Sequence, residues 1–414
     1  MRHERSNRFT PFAAALVALC GAGGCGATAD DGDATGAGGA TSSGAGTSGP
    51  SSTTGGGATS SGGATSGGGT TGSGGGATSG TGSGGGGQGS GGSGSGAGTG
   101  GGTVGGCPAS ALVGWAAESG HGVASTTGGL GGMTVTATTA EQLLEYAESP
   151  DPLIIQISGD IDISGLDIDV ASNKTLIGAD PSATLRGRLQ VRGKSIDTPI
   201  QNVIIQNLKI DASSTIDDGI QIHFAHHVWV DHVEIWDGLD GNLDVVHGSD
   251  LVTISWCKFH YTNNAPDPAH RFSNLVGHSD NNSDEDTGRL RVSFHHNWWA
   301  DNVTERMPRV RFGEVHVFNN YYSAAGNNYA IGGGLEARLR IENNYFDGVK
   351  DPHIFYEAEP TAQIVASGNT YIGMSDTTRK DTGQGAAFTP PYTVTLDTAD
   401  ASLKDVVTRC AGPR

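Results

Sequence analysis

Seven short runs of alternating apolar and polar residues follow one template in the C-terminal half of the chain. Aligned on an inward apolar position, they are IQNLKI from Ile205, VDHVEI from Val230, ISWCKF from Ile254, FHHNWW from Phe294, VFNNYY from Val317, IENNYF from Ile341 and VASGNT from Val365. Successive starts lie 25, 24, 40, 23, 24 and 24 residues apart. Alternation with period two marks strands, and a repeat this short leaves no room for a strand–helix–strand crossover, which takes about 30 residues or more. It suits one turn of a parallel β-helix, in which like positions stack on like. The single spacing of 40 predicts one inserted loop between His260 and Gly288.

Weaker turns read at Ile155 and Ile177 place the start of the stack near Leu153. Asparagines recur at Asn207, Asn319 and Asn343, with Asn320 and Asn344 beside them. They predict stacked side-chain ladders at the bends; ordinary turn asparagines would explain the composition but not the period. Thr138 precedes Glu141 by three residues, and Leu143, Leu144 and Ala147 follow at helical spacing. That pattern predicts a short helix with a capping box, placed to cover the open apolar end of a solenoid.

Composition divides the chain. Residues 26–106 are almost entirely Gly, Ser, Thr and Ala, with no aromatic residue, so they cannot bury enough surface to offset backbone entropy and are expected to form a flexible tether. Residues 1–25 combine Arg2, Arg5 and Arg8 with the short apolar run Phe12 to Leu19, the layout of an export signal and too short for a membrane span. Ala22, Gly23 and Gly24 before Cys25 are similar to a lipoprotein cleavage site, so the expectation is secretion or display at the outer cell surface through a lipidated Cys25. The folded part is expected to be 107–414, a monomer. Cys107 and Cys410 lie at its two ends and either pair or stand as exposed thiols, while Cys257, inside an apolar run, reads as a core residue. The net charge of -19 argues against nucleic acid as a partner, because such proteins neutralise phosphates with basic stripes.

The strings TTGGLGG, VWVDH, DGNLDVVHGSDLVTIS, NLVGHSD, RMPRVRFGEVHVFNNYY and IENNYF occur in this order. Together they resemble the pectate lyase family of polysaccharide lyases over Trp115 to Asp351. The resemblance implies an all-β, right-handed three-sheet parallel β-helix with a short N-terminal capping helix, an acidic calcium cleft and an arginine base. The implied substrate is polygalacturonate or pectin, cleaved by β-elimination to 4,5-unsaturated oligogalacturonides. Removing the weakly acidic C5 proton needs an electrophile on the adjacent carboxylate, and calcium prefers oxygen ligands.

The family's acidic ligands map onto Asp218, Asp240 and Asp244. Some members carry a further Asp two residues before the first; here Ile216 stands there with Asp217 adjacent, which leaves a fourth ligand open. The catalytic arginine maps onto Arg306 and its substrate-binding partner onto Arg311, with Arg309 between them. The family's substrate lysine falls on Phe272 by direct spacing and on Arg271 with a shift of one, and Arg271 is preferred because a guanidinium can hold a carboxylate with two bonds. Free arginine titrates at about 12.5–13.8, so at about pH 9 only about one molecule in ten thousand is a free base. Neighbouring cations are expected to ease that penalty.

Taken singly, aspartates beside glycines are turn formers and three close arginines make a solvated basic turn. His232 reads as a structural hydrogen-bonding residue, and the acidic loop Asp280 to Gly288 reads as solvated, without the spacing of an EF-hand. Three rivals compete. A pectin lyase would lack the acidic set, and a polygalacturonase would use paired carboxylates whose motif fragments occur here in the wrong order. A non-enzymatic adhesin would need no catalytic motifs.

Overall fold

The alternating runs become strands because their β-branched and aromatic side chains find an identical surface one turn above and one turn below. Ile205, Val230, Ile254, Phe294, Val317 and Ile341 lie in one parallel register, and all six are buried. Each such side chain removed from water contributes roughly 1.5–3 kcal/mol. The computed structural model describes residues 103–104, 106–215, 217–356, 361–374, 383–384 and 387–414; the leader with Cys25, nearly all of the tether and Ile216 lie outside them. The described part is an all-β parallel solenoid with few helices.

Along the column that follows each inward run, one residue takes the left-handed conformation: Asn207 (φ 50°), His232 (53°), Trp256 (51°), His296 (55°), Asn319 (53°), Asn343 (51°) and Gly368 (68°). Gly and Asn reach this region most cheaply. The residue after each bend points inward, and there the ladder forms. Asn297 donates through its backbone N–H and Nδ2 to Asn320 Oδ1, Asn320 does the same to Asn344, and Asn344 to Asn369, at 2.8–3.0 Å. The ladder column is therefore 297, 320, 344 and 369, whereas Asn207, Asn319 and Asn343 are the bend residues beside it. Cys257 N–H donates to Asn297 Oδ1 at 2.9 Å and so heads the ladder as a buried free thiol. An aromatic column, Phe259, Trp299, Tyr322, Phe346 and Tyr371, stacks beside it with neighbouring centroids 4.4–5.6 Å apart.

Register corrects four sequence expectations. The inward residue of the last run is Ala366, opposite Ile341, while Val365 pairs with Arg340; Gly368 must occupy the bend, and this shifts the run by one. Likewise Leu176, not Ile177, stacks on Ile155 and Ile205. The stack begins a turn before Leu153, because Met133–Ala137 pairs parallel with Leu153–Ile157. The long spacing is two insertions rather than one, flanking the strand Leu275–Val276: Val245 and Val276 are register partners 31 residues apart, against 23 for Ile222 and Val245.

The helix Ala140–Glu148 buries Leu143 and Ala147 against the first strands. Its N-cap is Thr139, one residue later than expected, whose hydroxyl accepts from Gln142 N–H. Cys107 and Cys410 form a disulfide, which ties the helix Ala401–Cys410 to the start of the folded region. A two-residue strand Thr103–Val104, inside the expected tether, pairs with Cys107–Pro108.

One eight-stranded parallel sheet positions the site. Its order is Ile168–Asp169, Leu189–Arg192, Ile220–His223, Leu243–Val246, Leu275–Val276, Arg309–Val310, Ile331–Gly333 and His353–Phe355.

Candidate active site

Asp218 lies two residues before the strand Ile220–His223, Asp240 in the loop before Leu243–Val246, and Asp244 within that strand opposite Gln221. Parallel pairing thus brings residues of successive turns to one end of one sheet. Asp218 and Asp244 are buried and Asp240 is exposed. The two buried carboxylates converge on Gly241: a Cβ built there would lie 2.6 Å from Asp218 Oδ1 and 3.0 Å from Asp244 Oδ1. Asp218 Oδ2 accepts from Gln221 Nε2 at 3.2 Å, but its Oδ1 is buried with no hydrogen-bond partner. Asp244 Oδ1 accepts from Leu275 N–H at 2.9 Å.

Asp217 joins this group. Donor oxygens of Asp217, Asp218 and Asp240 lie within 4.8 Å of one another, and Asp217 is also held by Arg188 at 2.9 Å. Burial, then the charges of Asp244, Asp240 and Asp217, push Asp218 well above the ordinary carboxylate range. Burial likewise raises Asp244 to about 8, opposed by Arg306 and reinforced by Asp240 and Asp217. Asp240 is instead held low, first by its hydrogen bond to His270 at 3.2 Å and, against some burial, by Arg306. Two buried carboxylates held against their own ionisation, with one oxygen orphaned and a glycine leaving the space between them, fit a hard divalent cation such as calcium.

Arg309 opens the strand Arg309–Val310, two along the sheet from Leu243–Val246, and Arg306 lies three residues before it. Arg306 is buried, takes a left-handed φ of 58°, and its guanidinium lies 4.5 Å from the Phe272 ring centroid. Asn274 N–H donates to its carbonyl at 2.6 Å. Arg309 pairs with Leu275 in the sheet and lies 3.5 Å over Tyr356. Burial first, then Arg311 and Arg306, lowers its pKa. Arg311 is engaged differently: Nε donates to Asp280 Oδ1 at 2.5 Å and Nη1 to Gly277 O at 2.9 Å. Of the two residues weighed for the lysine position, Phe272 is the one that touches Arg306. Arg271 is half-buried, its carbonyl accepts from Thr304, and its Nε is buried without a hydrogen-bond partner.

Sequence reading passed over His270, Gln221 and Tyr356 as site neighbours. No local motif marks them, since only register brings them in. His232 stacks on Trp256 and bonds Asp231 at 2.8 Å, on a different strand series from the aspartates.

The pectate lyase family model matches residues 96–393. A probable pectate lyase B of Aspergillus flavus is 34% identical over 301 residues, covering 70% of this chain and 86% of that protein. A pectate trisaccharide-lyase of Bacillus licheniformis is 33% identical over 325 residues, covering 73% and 86%. A pectate lyase from Bacillus sp. N165, solved in complex with trigalacturonate, superposes with a TM-score of 0.59 at 26% identity, covering 73% of this chain and 99% of the other. With a family model spanning most of the folded region and relatives this similar along nearly their whole length, the chain belongs to the pectate lyase family.

Proposed function

We propose that this protein cleaves pectate by calcium-dependent β-elimination, with Arg306 as the acceptor of the C5 proton. The observation that carries the proposal is the convergence of Asp218 and Asp244 on Gly241, with an orphaned buried oxygen, and with the Arg306 charge close enough to act on Asp244. Asp218, Asp240 and Asp244 are the proposed calcium ligands, with Asp217 as a fourth oxygen donor. Bound there, calcium would neutralise the uronate carboxylate and make the adjacent C–H proton more acidic.

The remaining work falls to side chains of the chain itself. Arg309 and Arg311 supply positive charge for substrate carboxylates within an acidic protein, and Arg311 does so by exchanging Asp280 for the substrate. Arg271 is a third proposed contact. The Phe272 ring and the Asn274 bond to its carbonyl orient Arg306, so that its fork meets the substrate without first being ordered. Products would be 4,5-unsaturated oligogalacturonides. The finer architecture, three sheets with Ala140–Glu148 as an end cap, belongs to this proposal. So do export, with lipid attachment at Cys25, and a monomeric state.

Ultraviolet absorbance of the conjugated product, followed on polygalacturonate with and without a chelator, tests the reading. Activity should vanish with chelator, return with calcium and increase through the alkaline range, since the free-base fraction of an arginine grows about tenfold per pH unit below its pKa. Chelator-resistant cleavage, or reducing ends without unsaturated product, would reject it in favour of hydrolysis.

A further inference from the structure

Toward the other end of the same sheet, three histidines that the elimination chemistry does not use follow one another across the strands. His223 ends Ile220–His223, His247 follows Leu243–Val246, and His278 follows Leu275–Val276 closely. The His247 and His278 rings stack with centroids 3.7 Å apart, and His223 lies 5.0 Å from His247. Glu285 completes the group from the short helix Ser283–Asp286 in the inserted segment, with Oε1 2.9 Å from His247 Nδ1. One donor atom from each of His247, His278 and Glu285 lies within 4.8 Å of the other two. His278 Nδ1 is buried with no hydrogen-bond partner.

The surroundings are built to hold Glu285 there. Asp286 accepts from Gly248 N–H at 2.7 Å, which pins the helix beside His247. A Cβ on Gly248, whose φ is 63°, would lie 2.8 Å from Glu285 O, so only glycine lets the helix come this close. Asn282 donates to Glu285 Oε1 and orients the carboxylate. The acidic loop that reads from sequence as solvated therefore delivers a carboxylate to two imidazoles.

Two imidazole nitrogens and one carboxylate are the donors of zinc-type ions, whereas calcium takes oxygen ligands. We propose that His247, His278 and Glu285 bind a first-row transition-metal ion of the zinc class, at a site separate from the aspartate cluster and independent of the catalytic reading. The ion would tie the inserted loop to the solenoid. The same loop carries Asp280, the partner of Arg311, so the metal would also steady the loop that faces that arginine.

The test uses the whole folded protein, stripped of metal and then saturated with calcium. Zinc chloride is titrated calorimetrically, and cobalt(II) is followed by its visible absorption. One equivalent of zinc should bind, and cobalt should develop the d–d bands of a low-coordinate nitrogen and oxygen site. His278→Ala and, separately, Glu285→Gln should each weaken zinc binding about 100-fold or more, since even residues behind the ligands cost 10–100-fold. Glu285→Gln keeps the side chain's size and serves if His278→Ala does not fold. Absence of stoichiometric zinc binding to the calcium-saturated protein overturns the proposal. So does zinc binding unchanged by the substitutions, which would place the ion on other histidines such as His226 and His227.

Discussion

Gly241→Ala separates the proposed cation seat from the carboxylates that line it. The added Cβ would lie 2.6 Å from Asp218 Oδ1 and 3.0 Å from Asp244 Oδ1, against about 3.5 Å for ordinary van der Waals contact. One or other group must retreat by roughly 0.9 Å, several times the ~0.2 Å within which metal–ligand distances are held. Asp218 has little freedom to do so, being buried with Oδ2 tied to Gln221. The overpacking itself costs about 1–3 kcal/mol, tolerable in a solenoid of this size. Calcium affinity should fall about 10- to 100-fold, the range seen when support around a metal site is disturbed. The assay is unsaturated-product formation against free calcium, with circular dichroism to establish folding. The half-saturating calcium should move up by that factor while the maximal rate largely returns. A folded Gly241→Ala protein with wild-type calcium dependence would refute the placement of the cation between Asp218 and Asp244.

Asp244→Ala should also be partly rescued by added calcium, whereas Arg306→Lys should not be rescued at any concentration, because lysine loses the planar fork; rate measurements across calcium concentrations separate the two. Asn344→Ala removes the acceptor of Asn320 N–H and Nδ2 and the donor to Val317 O, so denaturant unfolding should show a loss of about 3 kcal/mol or more. Burial alone would raise Glu342, but its hydrogen bonds with His316 and Arg340 bring it down to about 2. Its folded pKa lies below its unfolded one, so its contribution is present above about pH 4.5 and is lost as pH falls through about 2. Glu342→Gln should accordingly flatten the dependence of Tm on pH in that window. Reducing the Cys107–Cys410 disulfide opens a loop with a sequence separation of 303 residues and should cost about 3–5 kcal/mol, read as a lower Tm by about 5–8 °C.

Much of this protein is written locally. Alternation with a repeat near 24 residues defines a parallel solenoid, because a strand that buries one face must find its partner one turn away. The Gly, Ser, Thr and Ala composition of residues 26–106 sets that stretch apart from the rest of the chain. The order of motifs around Asp218, Asp240, Asp244 and Arg306 carried the family. What the tertiary structure decided was register. Val365 or Ala366, Ile177 or Leu176, and Asn319 or Asn320 are each a choice between adjacent residues of similar character, settled by which one takes the left-handed bend and which one points inward. The same holds for the sites. Tyr356 comes under Arg309, and Glu285 meets His247 and His278, only because separate turns of the chain stack about 4.8 Å apart in space. Composition and spacing along one chain cannot encode which side chains of different turns will face one another.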